Sequence, residues 1–589
     1  MTARAPAGPG EEARRGTVVR VNGPLVEVEG LGSVAAHEVL ELGSGRLPAE
    51  VASIRSGLVT AQAFESTGGL RVGDPVRGLG IPLSARLGPG LLGGIFDGML
   101  RPLEARHQWL APGTLGARAR GEDTPERRWP FRPSVDAGAS VAAGAVLGSV
   151  PTVGGIEYKV LVPPGLAGTV DWVAGEGEVG EDDPVASVAG TAVAVTDLWP
   201  IRTPRPVRAR LDLSPPLSTG QRVVDLLFPI AKGATAAVPG GFGTGKTVLL
   251  QQIVRWCDAD VIVFVGCGER GNELADALTD LRELEDKATG HRLLERTVVI
   301  ANTSNMPVMA REASIYAGMA VAEFFRDMGY DVVLLADSTS RWAEALREFS
   351  SRSGELPAEE GYPAGLASAL AAFYERAGRV TTLGGEEGSV TAIGAVSPPG
   401  GDMTEPVTAH TERFVRCLWS LDRDLAYARH YPAVTWRRSF SRDVDAVAAW
   451  HATAGRVGWE RDRARAVALL ADSDRLTSVV ELVGLGALPG RERMALLGGQ
   501  LVREVVLAQS ALSPNDAACG PRKQAALLAM VLAVYDRCLA LVDAGLPASV
   551  VEELDLSALA RAREEFGPDD DAGVLARRDE TLAVLDKLS

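Results

Sequence analysis

At 589 residues the chain is too long for a single hydrophobic core and requires several domains, about three to five. Its 46% apolar and 23% charged content belongs to a folded soluble protein and excludes a disordered or fibrous one. Sixty basic against seventy-six acidic residues leave a net charge of −16, which argues against a nucleic-acid or anionic-membrane surface.

Residues 1–15 lack the apolar core of a signal peptide and are expected to be disordered. No run of eighteen or more apolar residues occurs, so the protein is expected to be cytoplasmic and any tie to a membrane to run through partners. From 16 to 85, TVVRVNGPLVEVEG alternates, and turn residues recur through ELGSGRLPAEV and ESTGGLRVGDPV; short strands so spaced predict a small closed β-barrel. The stretch 86–108, with GPGLLGGIFDGMLRPLEA, reads as a linker with a short helix. A second Gly-rich block from 109 to 195 shows alternation and turns but no catalytic residue set, and is expected to be a β-rich insert that binds or spaces.

Between 200 and 435 the pattern changes to apolar strands alternating with helices, as in 261–265, 298–301 and 332–335, which predicts a mostly parallel α/β sheet. From 436 to 589 Leu/Val/Ala periodicity predicts a helical bundle, with a loose acidic stretch near Pro568. Cys257, Cys267, Cys417, Cys519 and Cys538 match no zinc spacing and are expected to be reduced core thiols. The six histidines form no metal cluster in the sequence.

The chemistry centres on a complete G-x-x-x-x-G-K-[ST] pattern, Gly240, Gly241, Phe242, Gly243, Thr244, Gly245, Lys246, Thr247. Glycines let the backbone wrap a polyphosphate so that N–H groups and a helix N-terminus face its oxygens. Lys246 is expected to reach the β- and γ-phosphates and the Thr247 hydroxyl to hold Mg²⁺. Asp337 ends an apolar strand, the position of a second metal-site carboxylate. Glu269 ends another, where open α/β sheets place their ligand crevice; a carboxylate there either polarises water or is merely solvated. Its neighbour Arg270 either contacts phosphate or pairs with Glu273. No arginine of the chain presents itself as the transition-state finger, so one is expected from a neighbouring protein chain, with low activity for the isolated chain.

Taken together, TGQRVVDLLFPIAKG, GGFGTGKT, VGCGERGNE, ADSTSRWAEALRE, EEGYPAGLASALAAFYERAGRV, AVSPPGGDMTEPV and ELVGLGALPGRER, with the earlier GPGLLGGIFDGMLRPLE, WPFRPSV and IEYKVLVPPGLAGTV, resemble one family. It is the catalytic A (alpha) subunit of V-type and archaeal-type rotary ATPases, the V/A-type ATP synthases. The resemblance implies an N-terminal β-barrel, a bulge insert peculiar to this family, a RecA-like P-loop nucleotide domain and a C-terminal helical bundle. It also implies ATP or ADP with Mg²⁺, and B-type subunits in alternation with this chain in an A3B3 ring. A central rotor, a peripheral stalk and a membrane sector that moves protons or sodium ions complete the implied assembly, on the cytoplasmic face of the membrane and without nucleic acid.

Residue by residue, the resemblance makes Lys246 and Thr247 the phosphate and Mg²⁺ ligands, Glu269 the water-activating carboxylate, Arg270 a γ-phosphate contact and Asp337 part of the metal shell. In the adenine pocket Tyr431 stands where a Phe is usual, and Leu512 where a second Phe is usual, which removes stacking area. Thr435 replaces a usual Asn. Thr244 stands where eukaryotic relatives carry Cys, so disulfide control at the loop is not available. A RecA-like hexameric secretion ATPase or RNA translocase is disfavoured by the insert and, for RNA, by the acidic charge. A non-hydrolysing regulatory nucleotide binder is disfavoured because Lys246 and Glu269 are both present.

Overall fold

The computed structural model describes residues 14–103, 127–285, 290–354 and 356–588. The chain forms two compact units, one of Met1–Leu211 with Asp260–Gly394 and one of Asp212–Ala259 with Ala395–Ser589.

The first unit opens with six strands closed into a barrel, in the order Arg15–Asn22, Leu25–Glu29, Leu58–Ala63, Leu47–Arg55, Glu38–Leu42, Pro75–Pro82. Alternation explains it: Val18, Val26, Val28, Leu40, Leu42, Val51, Val59 and Val76 point inward and are buried, and closure leaves no strand edge unpaired. The glycine-rich block forms two four-stranded sheets, one with Arg128–Pro133 and Val146–Pro151, the other with Gly168–Val173 and Pro184–Val188. Phe131, Leu147, Val160, Val170 and Val188 fill their buried faces. The first part of the expected insert, 109–126, lies outside the described residues, as does 1–13 of the expected disordered start. The insert does more than space: Lys159 Nζ donates to Met328 O at 2.8 Å and Tyr330 Oη to Glu157 O at 2.6 Å, fixing it to the end of the helix Val308–Asp327.

Parallel strands Glu387–Val396 (through Gly394), Asp331–Asp337, Val261–Glu269 and Thr297–Thr303 build the sheet of this unit. They are buried on both faces, which is why they read as continuous apolar runs. A fifth strand comes from an unexpected place. Ile95–Phe96, inside the stretch read as a linker, pairs in parallel with Val299–Ile300. Two residues carry no periodicity of their own, and only the free edge of Thr297–Thr303 makes them a strand.

In the second unit the buried strand Thr235–Pro239 runs parallel to Cys417–Leu418, which pairs in turn with Phe440–Ser441. That last pairing places a strand inside the range expected to be wholly helical. Beyond it come the helices Trp459–Val483, Gly490–Leu501, Pro521–Asp543, Ser557–Glu565 and Asp571–Asp586. Pro521–Asp543 is long and apolar enough to cross a membrane. In this fold it buries Leu527, Leu528, Met530, Val531 and Val534 and packs on Asp571–Asp586. Part of the acidic stretch near Pro568 is not loose: the Asp570 carboxylate accepts from Gly573 N at 2.9 Å and caps the last helix. All five cysteines are buried free thiols.

One ion pair joins the ends of this unit. Arg222 and Asp516 are both 0% exposed; the guanidinium donates to Asp516 Oδ1 at 2.6 Å, to Val506 O at 2.6 Å and to Ala508 O at 2.5 Å. Replacing Arg222 by methionine strands the carboxylate in the interior, and we expect unfolding stability to fall by about 3–5 kcal/mol. Urea unfolding of the full chain measures it; a loss below about 1 kcal/mol would contradict the account.

Candidate functional site

Within the second unit, the strand Thr235–Pro239 delivers the chain to Gly240, whose N–H donates to Val396 O at 3.1 Å. The chain then turns, and Gly245, at φ 84°, sits as the N-cap of the helix Lys246–Trp256 in a conformation that L side chains avoid. A Cβ at Gly240 would lie 2.7 Å from Thr244 Oγ1 and 2.9 Å from Leu421 Cβ, so that position too admits only glycine. Leu249, Leu250, Ile253 and Val254 bury one face of the helix and fix its N-terminus beside the loop. The Thr244 hydroxyl donates back to Gly241 O at 2.8 Å, while Phe242 is 89% exposed at the loop's outer bend.

Three oxygens surround the Lys246 ammonium: Gly240 O at 3.5 Å, Val396 O at 3.3 Å and the Ser397 hydroxyl. All are uncharged, and a polyphosphate offers the same donors oxygens bearing negative charge. With backbone N–H groups of a helix N-terminus alongside, the residues present fit a nucleotide's phosphates. Tyr431 stands beside this loop, its ring carbons 3.5–3.6 Å from where a Gly245 Cβ would be. Its backbone carbonyl accepts from Gln509 N at 2.7 Å, which ties it to the segment carrying Leu512. Tyr431 is 43% and Leu512 96% exposed, so the second unit brings Lys246, Thr247 and Tyr431 together and leaves Leu512 projecting into solvent.

The acidic candidates belong to the first unit. Asp337 closes the strand Asp331–Asp337 in register with Gly266, and is 2% exposed. Glu269 ends the neighbouring strand after an irregularity at Gly268, φ 75°, and pairs in register with Thr303. A Cβ on Gly268 would come within 2.8 Å of Arg341 Cβ, so the glycine lets the strand end bend past the helix Thr339–Ser353. Arg270 is the N-cap of the helix Gly271–Glu283, 70% exposed in its side chain and 3.9 Å from Glu273.

Sequence reasoning passed over Arg341 and Ser397. Arg341 donates to both Glu344 oxygens at 3.0 and 2.9 Å; that pairing raises its pKa, with the charges of Glu269 and Glu273 adding to the effect. Its signal was present in Asp337-Ser-Thr-Ser-Arg341, one helical turn after the strand-end carboxylate. Ser397 ends a strand in AVSPPGGD with no local mark of function. Behind Glu269, burial pushes the Cys267 thiol up to about 12, which keeps it a neutral packing group. Among the described residues no three His, Cys, Asp or Glu side chains gather as a metal cluster.

A strand, a glycine loop closing on a lysine ammonium and a helix opening at that loop define a P-loop nucleotide-binding protein. Family models agree and narrow the class. The ATP synthase alpha/beta nucleotide-binding domain matches residues 220–441, the family's beta-barrel domain 18–80 and its barrel-sandwich domain 124–202. The C-terminal domain of V and A type ATP synthase matches 448–551. The V-type ATP synthase alpha chain of Nitrosococcus oceani is 50% identical over 93% of both chains. The catalytic-type A chain of the A-type ATP synthase of Methanopyrus kandleri is 48% identical over 92% of this chain and 93% of its own. That of Thermococcus kodakarensis is 46% identical over 97% and 99%. The chain therefore belongs to the V/A-type ATP synthase A (alpha) chain family, a family of ATP-binding, ion-translocating ATPases. The ATPase EscN of the enteropathogenic E. coli type III secretion system shares the fold, with a TM-score of 0.63 at 22% identity over 88% of this chain and all of its own.

Proposed function

We propose that this chain binds MgATP on the loop 240–247 and, completed by a B-type partner, makes and hydrolyses ATP in coupling to proton or sodium transport. The observation that carries the reading is the Lys246 ammonium, held over the loop by three uncharged oxygens that charged phosphate oxygens would replace.

In this reading Lys246 draws charge from the β- and γ-phosphates. The Thr247 hydroxyl and the Asp337 carboxylate hold Mg²⁺, which when bound neutralises polyphosphate charge. Glu269 accepts a proton from water as the water oxygen bonds to the γ-phosphorus. The bond from that phosphorus to the oxygen bridging the β- and γ-phosphates breaks, and ADP leaves with inorganic phosphate. Arg270 exchanges its loose contact with Glu273 for the γ-phosphate. Tyr431 stacks on the base, with Leu512 offering less area than a second ring.

The positive charge still needed in the transition state comes from the B-type chain, so sites form at A/B interfaces of an A3B3 ring. A central rotor and peripheral stalk join that ring to a membrane sector, and the chain lies peripherally on its cytoplasmic face. Closure on ATP moves the helical part toward the nucleotide, which requires that ATP bind the closed state more tightly than the open one. To test this, the purified chain is assayed for MgATP binding and turnover, alone and mixed with a B-type chain. We expect binding by the chain alone and steady turnover only in the assembled ring. Failure to bind MgATP, or to join a ring, would overturn the reading.

A further inference from the structure

We infer that Ser397 is a positioning residue for Lys246, a hydroxyl that holds the ammonium on the phosphate loop and changes its hydrogen-bonding role when nucleotide arrives. The inference rests on the reading of Lys246 as the phosphate-binding lysine.

The three acceptors around Lys246 Nζ are not equivalent. Val396 O lies at the end of the strand Glu387–Val396 and already accepts from Gly240 N at 3.1 Å, so it is fixed by the backbone. Gly240 O, at 3.5 Å, belongs to the loop whose shape the glycines impose. Both are carbonyls, which accept and never donate. Ser397 Oγ makes the closest of the three contacts. A hydroxyl both accepts and donates, and it turns about one bond.

An ammonium has three N–H donors, and the three oxygens point them into the loop. Lysine has a flexible four-carbon stem, and holding it in one geometry costs side-chain entropy. The Ser397 contact therefore pre-arranges the ammonium, so that less ordering remains when phosphate binds. On binding, two donors pass to phosphate oxygens. The carbonyls can only be left behind, whereas the Ser397 hydroxyl can turn and give its own proton to a phosphate oxygen. No covalent bond forms or breaks, and the serine proton stays on its oxygen.

Adding a methyl group at this position preserves the hydroxyl, and removing the hydroxyl leaves the backbone cage intact. Ser397→Ala and Ser397→Thr are therefore compared with wild type and with Lys246→Ala. Affinities for MgADP and for a non-hydrolysable MgATP analogue are measured on the full chain, and kcat and KM on the ring reconstituted with a B-type partner. For Ser397→Ala we expect about a tenfold loss in affinity for the triphosphate analogue, MgADP affinity within about twofold, and a fall in kcat of at least about tenfold. Ser397→Thr should restore both, and the thermal midpoint of each ligand-free variant should match wild type.

Wild-type kcat and triphosphate affinity in Ser397→Ala would overturn the inference, provided Lys246→Ala is inactive in the same ring. So would a threonine variant as impaired as alanine, or losses that only follow a lowered thermal midpoint. If Lys246→Ala itself turns over normally, the reading of the loop fails instead, and the two failures are thereby told apart.

Discussion

Replacing Lys246 by alanine is expected to abolish ATP turnover in the ring reconstituted with a B-type chain. The substitution removes the cation that Gly240 O, Val396 O and the Ser397 hydroxyl hold over the loop. Removing a single preorganised donor from a site where negative charge develops costs about 10²–10³-fold in kcat, and the lysine supplies both a full charge and several donors. Folding should survive. The helix is anchored by Leu249, Leu250, Ile253 and Val254, and Lys246 sits at its first position, where alanine is well tolerated. Steady-state hydrolysis and a thermal melt of the same preparation separate the two effects. Wild-type turnover would remove the loop from the mechanism.

The second large effect is expected at Glu269. Glutamine keeps the size and shape of the side chain and loses the basic oxygen, so Glu269→Gln should retain nucleotide binding while kcat falls about 10²–10⁴-fold. The strand end holds its position independently of the carboxylate: Glu269 O accepts from Ser304 N at 2.9 Å, and Gly268 supplies the bend. Binding is followed with a fluorescent ADP analogue and turnover in the reconstituted ring. An unchanged kcat would refute the assignment of Glu269 as the proton acceptor. A loss of binding equal to the loss of kcat would instead make it a nucleotide-holding group.

Much of this molecule was legible in its sequence because the relevant physics is local. The barrel follows from alternation, since Val26 and Val28 fall on one side of a strand and Glu27 on the other. The phosphate loop follows from glycines at fixed offsets before an apolar helix. Asp337 and Glu269 were recognisable because apolar strands run directly into them. Arg270 illustrates the boundary: its sequence neighbours allowed a phosphate contact or a pairing with Glu273, and the folded chain places it beside Glu273.

The sequence alone determined that this chain is an acidic, multidomain nucleotide-binding protein with an intact lysine loop and an intact strand-end carboxylate. A segment's own backbone preferences and periodicity suffice for that. Only the tertiary structure decided that Ile95–Phe96 is a sheet strand, that Arg222 is paired with Asp516 across 294 residues, and that Ser397 faces Lys246 across 151. These depend on where the chain returns after long excursions. A pairing of that kind leaves no pattern in either segment, because neither carries its partner within reach of a helical turn or a strand's alternation.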